Sequence, residues 1–513
     1  MKDNRGVLVV DLGTQYAQLI ARRVREAQVW SEIAPAKRCL EVAKDMDLAG
    51  VILSGGPASV YADDAPEIPR EVLELGVPVL GICYGMQWMS QTLGGHVEAA
   101  ERREFGRTSM RILDPSGPFV GVQGHTVVWM SHGDQVSRLP QGFAVLAESD
   151  TCPFAAIGDH DRGFYGIQFH PEVTHSVRGR EVIENFLYRV CGLEGDWTPH
   201  NIVEHQVAKV RELVGRDGEV VMGLSGGVDS SVAAMILHQA IGDRLHCIFV
   251  DNGLLRKDEA AGVGRLFGEH LHMDLTMVDA GERFLTKLAG VTDPERKRKI
   301  IGHEFVEVFR EQARRFENAH FLGQGTLYPD VIESVAAHGG NTAVIKSHHN
   351  VGGLPEDLEM TLVEPLRELF KDEVRAIGHN LGLPSSLVDR QPFPGPGLAV
   401  RIWSDITPEN VALPGRPTRR ARGDRGGGRA AQPVAVLRGV AARALRRRHG
   451  RRAPTNRPVR CESSSPSTMT ADWAYLDREL IARISNRVIR QVRGIQPRRP
   501  RRLEQAARDD RVG

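Results

Sequence analysis

The sequence predicts an α/β protein with two doubly wound, mostly parallel-sheet domains. Three observations support this fold class. Short apolar runs recur, each followed by a glycine turn and then by a helical pattern. The pattern lapses near residues 191–201 and then starts again. The length of 513 residues is too great for one hydrophobic core.

The first domain is expected over residues 1–193, with a linker over 194–201. Its strands are predicted at 7–13 (VLVVDLG), 51–56 (VILSGG), 77–85 (VPVLGICYG) and 164–172 (FYGIQFHPE). In a parallel sheet the chemistry sits just beyond the carboxyl ends of the strands, so the residues that follow these runs are the candidates for a site.

The second domain is expected over 202–395 and begins with the helical pattern NIVEHQVAKVRELVG. Strands are predicted at 220–227, 245–253 and 320–326. A long amphipathic helix is predicted to start with Asp293 as its cap and Pro294 in its first turn. No internal repeat is visible.

Composition limits the protein class. The apolar fraction of 41% and charged fraction of 26% are ordinary for a globular protein. We find no apolar run long enough for a membrane span and no signal-peptide pattern. The six cysteines form no CxxC pair, so we expect a reducing cytoplasm.

A candidate nucleophile, Cys83, lies between glycines in GICYG, where a strand gives way to a helix. This is the cysteine form of a nucleophile elbow, and a helix N-terminus favours the thiolate. The alternative is an ordinary buried cysteine. A second strand ends in His170-Pro-Glu172, where the histidine can take the thiol proton and the glutamate can orient the imidazole. Alone, such a tripeptide is more often a surface turn.

A third strand ends in SGGP, whose backbone at Gly56, with that of Tyr84, could form an oxyanion hole. The three motifs together resemble the class I glutamine amidotransferase family over residues 7–190. The resemblance implies that glutamine forms a thioester on Cys83 and releases ammonia.

A glycine-rich turn follows the first strand of the second domain and opens a helix, as in phosphate-binding loops. It has no GxxxxGK[ST] pattern, and a generic glycine turn is the alternative. Its SGGVDSS sequence resembles the pyrophosphate loop of the ATP pyrophosphatases, which have an adenine-nucleotide α-hydrolase-like fold. The resemblance implies ATP binding by Ser225, Gly226, Gly227, Val228, Asp229, Ser230 and Ser231, a Mg²⁺ contact at Asp229, and adenosine binding by the next strand at Val250.

Motifs further along the chain reduce the number of molecules that could accept the ammonia. GLLRKDE, GQGTLYPDVIES, IKSHHNVGGLP and RQPFPGPGLAVR together resemble the glutamine-hydrolysing GMP synthase family, almost without gaps to about residue 410. The resemblance implies xanthosine 5′-monophosphate (XMP) as acceptor, Arg256 as an XMP contact, Lys371 and Asp372 as lid residues, and a homodimer. Arg256 and Asp372 could instead be solvated charges on a helix.

The remaining segment, 396–513, corresponds to a small α/β dimerisation domain in that family. Here residues 411–513 contain 26 Arg and no Lys against 8 acidic residues, which leaves 40 basic and 57 acidic residues before them. The resemblance is lost over 411–467, where we expect no strand, returns at TMTADW, and is lost again over 496–513. This pattern favours a shifted reading frame over an acquired nucleic-acid-binding arm, because such an arm would not return to family sequence.

Three functions therefore stand open. The chain is a GMP synthase, an amidotransferase of another acceptor, or a chain with a defective synthetase half that keeps only glutaminase activity. A nucleic-acid-binding role for the basic end is the remaining class, and it predicts salt-sensitive binding.

Overall fold

The structure is a computed structural model. It describes residues 5–336 except 15, 64, 257 and 317, then 360–390, 395–402, 405–407, 411 and the segments 434–440 and 459–464. The chain divides into two compact units, Met1–Ile202 and Val203–Gly513. The first boundary predicted from sequence lies nearby, but a helix, Pro199–Val214, already begins inside the predicted linker.

The first unit contains a nine-stranded mixed sheet. Its strands are β1 (Arg5–Asp11), β2 (Trp30–Pro35), β3 (Asp47–Leu53), β4 (Val79–Ile82), β5 (His96–Ile112), β6 (His125–Arg138), β7 (Ala144–Ser149), β8 (Ala156–Asp159) and β9 (Phe164–Ile167), in the order β2-β1-β3-β4-β9-β8-β7-β5-β6. The five strands from β2 to β9 are parallel, and the last four add an antiparallel extension. All four predicted strands are present, as β1, β3, β4 and β9.

Four helices accompany this sheet: α1 (Ala17–Glu26), α2 (Cys39–Asp45), α3 (Tyr84–Thr92) and α4 (Gly179–Asn185). The strands themselves are almost fully buried, as expected for apolar runs in a parallel sheet. Since β3, β4 and β9 are neighbours, the residues that follow them meet at one edge of the sheet.

The second unit contains a five-stranded, fully parallel sheet. Its strands are β10 (Glu219–Gly223), β11 (Leu245–Asp251), β12 (Asp274–Asp279), β13 (Ala319–Gly323) and β14 (Thr361–Val363), in the order β12-β11-β10-β13-β14. The three predicted strands are confirmed as β10, β11 and β13. Its helices are α5 (Pro199–Val214), α6 (Val228–Ile241), α7 (Glu259–Val263), α8 (Gly281–Leu288), α9 (Pro294–Ala313), α10 (Tyr328–Ala336), α11 (Lys371–Asn380) and α12 (Ser385–Val388).

The predicted long helix is α9, and its start is as expected. The Asp293 carboxylate accepts a hydrogen bond from the Arg296 backbone N–H at 2.8 Å, and Pro294 occupies the first turn. One face of α9 is buried against β11 and against a short 3-10 helix at Gly397–Arg401. In the described part of the chain, no helix has the length and apolarity that a membrane span needs.

The expectation of no strand in the arginine-rich stretch is wrong for two segments. Strands β15 (Val434–Val440) and β16 (Val459–Ser464) pair in antiparallel fashion. The valines of the first segment explain this result, because β-branched residues favour extended backbone even where the flanking composition is polar. The other parts of 412–513, including TMTADW and 496–513, lie outside the described residues.

Candidate functional site

Cys83 occupies a strained turn between β4 and α3. Its φ of +50° and ψ of −108° are unusual for any residue other than glycine. The neighbouring glycines are required by space. A Cβ on Gly81 would lie 2.6 Å from the Met86 backbone nitrogen, and one on Gly85 would lie 2.4 Å from the Leu53 carbonyl oxygen. The backbone therefore forms the sharp strand-to-helix turn that the GICYG motif predicts.

The side chains of Cys83, His170 and Glu172 form a continuous chain. The Cys83 Sγ lies 3.5 Å from His170 Nε2, and His170 Nδ1 lies 2.7 Å from Glu172 Oε1. The three residues are buried, with Glu172 fully so. With its Nδ1–H donating to the carboxylate, the imidazole presents Nε2 to the sulfur and is placed to take its proton.

The electrostatics of this chain favour a protonated imidazole. Burial lowers the pKa of His170, but the facing Cys83 sulfur and the Glu172 carboxylate outweigh burial and raise that pKa to about 11. At neutral pH His170 is therefore an imidazolium that faces the Cys83 sulfur.

Helix α1 supports the same chain through two contacts that motif analysis missed. The Tyr16 ring, at the helix start, lies 5.1 Å from the His170 ring between centroids. The Arg23 Nε–H donates to the backbone oxygen of Glu172 at 2.9 Å. Both contacts restrict the turn that carries the imidazole and the carboxylate.

The glycine turn after β3 lies against the nucleophile. A Cβ on Gly55 would lie 3.5 Å from His170 Cε1 and 3.8 Å from Cys83 Cβ. A Cβ on Gly56 would lie 3.1 Å from the Tyr84 ring. Bare backbone therefore borders the sulfur on this side, and the two residues predicted to form an oxyanion hole are adjacent in space.

A buried polar network continues from this site. The Gln87 Nε2 amide donates to the Asp134 carbonyl at 2.8 Å and to Gln168 Oε1 at 3.2 Å. The Tyr61 hydroxyl donates to the Asp134 carboxylate at 2.8 Å. Gln87 follows Cys83 by about one helical turn, so its proximity was readable from sequence. The contribution of Asp134 was not, because β6 lies at the far edge of the sheet.

In the second unit, the SGGVDSS turn joins β10 to α6 and is held by its own hydroxyls. Gly226 has a φ of +70°, which favours glycine. Ser225 Oγ lies 2.8 Å from Ser230 Oγ, and the hydroxyls of Ser230 and Ser231 donate to the Gly227 carbonyl at 3.2 and 2.7 Å. The loop is thus closed ahead of a helix N-terminus, an arrangement suited to an anion.

Asp229, in the first turn of α6, forms an ion pair through both carboxylate oxygens with the Lys371 ammonium. Lys371 is the first residue of α11, and Asp372 follows it in the same turn. The structure therefore brings one predicted lid residue to the loop across 142 positions of sequence. Within the described ranges, no group of three His, Cys, Asp or Glu is placed to hold a metal ion.

Val250 and Arg256 lie on and after β11, the strand beside the loop. The Val250 side chain is 4% exposed and packs in the core with Val221 and Ile248. Any contact of Val250 with a nucleotide would therefore come from its backbone. Arg256 lies in a tight turn, where its backbone N–H donates to Glu259 Oε2 at 2.9 Å.

Two family profiles match the chain. The profile of the class I glutamine amidotransferases matches residues 8–190, and the NAD synthase profile matches residues 202–297. The first match contains Cys83, His170 and Glu172, and the second contains the SGGVDSS loop.

Close relatives match most of the chain. It is 49% identical to a glutamine-hydrolysing GMP synthase of Brachyspira hyodysenteriae and 50% identical to that of Paraburkholderia phytofirmans, over 95% of this chain and 95 to 96% of each relative. The enzyme of Phenylobacterium zucineum is 56% identical over 80% of this chain and 79% of its own length. Among solved structures, a glutamine amidotransferase of Thermotoga maritima is 18% identical, with a TM-score of 0.31, over 38% of this chain and 100% of that one.

Proposed function

The chain belongs to the family of glutamine-hydrolysing GMP synthases, and we propose from its two sites how it carries out glutamine-dependent GMP synthesis. Glutamine, ATP and XMP are its substrates, and GMP, AMP, pyrophosphate and glutamate are its products. Relatives of this identity over nearly the whole chain do not favour another acceptor. The Cys83–His170–Glu172 chain at adjacent strand ends is the observation that carries the assignment of the glutaminase half.

In the glutaminase half, the Cys83 thiolate attacks the side-chain amide carbon of glutamine and forms a thioester. His170, as an imidazolium, donates its proton to the departing nitrogen, which leaves as ammonia. His170 then takes a proton from water, which attacks the thioester and releases glutamate. The backbone at Gly56 and Tyr84 stabilises the oxyanion formed in both steps.

In the synthetase half, the loop from Ser225 to Ser231 holds the phosphates of ATP at the start of α6. The C2 oxygen of XMP attacks the α-phosphorus and pyrophosphate departs. Ammonia then attacks C2, and AMP leaves with the oxygen to give GMP. Arg256 binds XMP, while Lys371 and Asp372 cover the reacting nucleotides.

A Mg²⁺ ion fits the donor chemistry of this loop, since Asp229 offers a carboxylate beside the seryl hydroxyls and ATP would supply the phosphate oxygens. Bound there, the ion would neutralise charge on the pyrophosphate leaving group. Lys371 already neutralises Asp229, so we expect this lysine to turn towards phosphate when the metal and ATP bind.

GMP formation tests the proposal. The full chain would be given XMP, ATP and Mg²⁺, with either glutamine or ammonium as the nitrogen source. We expect GMP with both. Glutamine hydrolysis without GMP from either source would refute the synthetase assignment for this chain.

Cys83→Ala separates the two halves. It should abolish glutamine-driven GMP formation and leave ammonium-driven formation intact, because ammonia enters after the thiol step. Cys39→Ala is the matched control, since it removes another fully buried thiol of the same unit and should preserve both rates. Equal loss of both rates in Cys83→Ala would contradict this division of labour.

We further propose a homodimer that works in the cytoplasm and does not bind nucleic acid. The five cysteines that the structure describes are free thiols, which supports a reducing compartment. Sedimentation of the full chain measures the oligomeric state. Titration with duplex DNA at low salt tests the last point, and tight binding lost on truncation near residue 410 would contradict it.

A further inference from the structure

Glu259 makes two separate contacts with its two carboxylate oxygens. Oε2 accepts the Arg256 backbone N–H at 2.9 Å, and the Glu259 N–H returns a bond to the Arg256 carbonyl at 3.1 Å. This reciprocal pair closes the turn that carries Arg256. Closing the turn would not by itself bury Oε1.

Oε1 is instead buried in an ion pair. It lies 2.6 Å from Arg390 Nη2, and the two side chains are 6% and 20% exposed. The same oxygen lies 3.7 Å from the point where a Cβ on Gly226 would stand. One carboxylate therefore joins the Arg256 turn to the Arg390 guanidinium and lies beside Gly226 of the SGGVDSS loop.

Closing the turn does not require this ion pair. A charged pair removed from water loses hydration, and an exposed glutamate would close the turn equally well. The second contact adds one geometric constraint. It ties Glu259, whose Oε1 lies beside Gly226, to a planar guanidinium that cannot lose its charge.

We propose that Glu259 is a positioning residue of the synthetase site, which holds the Arg256 turn in place beside Gly226 of the SGGVDSS loop through its bond to Arg390. The inference rests on the proposed function, because it takes XMP as the ligand of Arg256. Glu259 acts on XMP through other residues and does not touch the reacting atoms.

The test is XMP binding to the full chain by titration calorimetry, with the KM for XMP measured in ammonium-driven turnover. Glu259→Gln keeps an oxygen for the Arg256 N–H and removes the ion pair. We expect it to weaken XMP binding about tenfold or more while the KM for ATP changes by less than about threefold. Arg390→Gln should give a similar loss, and the double variant should be no worse than either single one.

Glu304→Gln is the control for a purely structural effect. Glu304 is a fully buried carboxylate of this unit, paired with Arg283 and Lys287. The Glu304→Gln variant should have a lower melting temperature than the wild type and the same affinity for XMP. Unchanged XMP binding in Glu259→Gln, an equal loss in Glu304→Gln, or multiplying losses in the double variant would each overturn the inference.

Different results would refute the proposed reaction and the proposed role of Glu259. A wild-type chain that binds XMP but makes no GMP would refute the proposed reaction, and the ratio of XMP affinities between wild type and Glu259→Gln would still decide the role of Glu259. A wild-type chain that binds no XMP would overturn both.

Discussion

In the proposed mechanism the chemistry of the first unit depends on His170, because this residue links a thiol to a carboxylate inside the protein. An imidazole buried without partners would lose its proton more readily than in water. Here the Cys83 sulfur and the Glu172 carboxylate reverse that effect and raise its pKa to about 11. Both partners thus favour the protonated form of His170.

Glu172→Gln tests this dependence. Without the carboxylate, the pKa of His170 falls, so less of the imidazole carries a proton beside the Cys83 sulfur at neutral pH. We expect alkylation of Cys83 by iodoacetamide to slow about tenfold at pH 7 and to recover as pH rises, since hydroxide then removes the thiol proton directly. The measurement is the alkylation rate from pH 6 to 10, read on Cys83 by peptide mass.

Glu181→Gln is a suitable comparison, because it removes an exposed glutamate of the same unit that pairs with Arg178. Its alkylation profile should match the wild type. A profile for Glu172→Gln that is lower by the same factor at every pH would show that the carboxylate orients the imidazole without setting its pKa.

At this scale, sequence reasoning predicted which residues lie together where a local motif marks each of them. Cys83, His170 and Glu172 each follow a strand in a recognisable tripeptide or pentapeptide, and the structure joins them as expected. It could not find Glu259 as a link to Arg390, since a single glutamate on a polar helix has many possible partners. Such long-range pairs depend on packing and not on local pattern.

At the scale of elements, the elbow between β4 and α3 predicts a strict need for glycine at position 85. Gly85→Ala would place a methyl group 2.4 Å from the carbonyl oxygen of the fully buried Leu53. We expect the first unit to lose about 1 to 3 kcal/mol of stability and to lose glutaminase activity. Thermal melting and glutamate release measure the two effects.

Gly262→Ala provides the contrast, because nothing lies within 4 Å of a Cβ built there and the residue is in helix α7. It should be neutral or slightly stabilising, as expected for alanine in a helix. If Gly85→Ala melted like the wild type, the backbone of the elbow would have to be more adaptable than its contacts indicate.

The start of α9 predicts a smaller, separable effect. Asp293→Ala removes the side-chain acceptor of the Arg296 N–H and should cost about 1 kcal/mol of stability. The measurement is the free energy of unfolding in urea. Glu295→Ala is the control in the same turn, since it removes only an exposed pair with Arg298 and should stay within about 0.5 kcal/mol.

The strands that sequence predicted in the first unit share one physical property, which is burial on both faces. Strands β1, β3, β4 and β9 are continuous apolar runs between turn residues, so they stand out. Strand β5 does not, because its outward side chains include Arg103, Phe105 and Arg107 and its pairing with β6 breaks between Ala99 and Glu104. In a long hairpin at the edge of a sheet, charged side chains interrupt the alternation of apolar and polar residues that would predict a strand.

At the scale of the whole molecule, the distribution of charge divides the sequence into two regions of different composition. Residues 1–410 are acidic, with 57 acidic against 40 basic side chains, while 411–513 are rich in arginine and contain no lysine. A domain that binds the anionic phosphate of XMP or pairs with a second copy of the chain needs defined side chains. The loss and return of family sequence predict that this segment has lost some of them.

Replacing residues 411–513 with the corresponding segment of one of the matched GMP synthases tests that prediction on the full chain. If a shifted reading frame altered the segment, the chimaera should form GMP from ammonium at least about tenfold faster, because one added pair of anion contacts contributes that much affinity. It should also sediment as a dimer at lower concentration. Its glutamine hydrolysis, carried by the first unit, provides the internal reference for correct folding. Equal GMP formation by both chains would instead show that the arginine-rich segment serves the reaction as it stands.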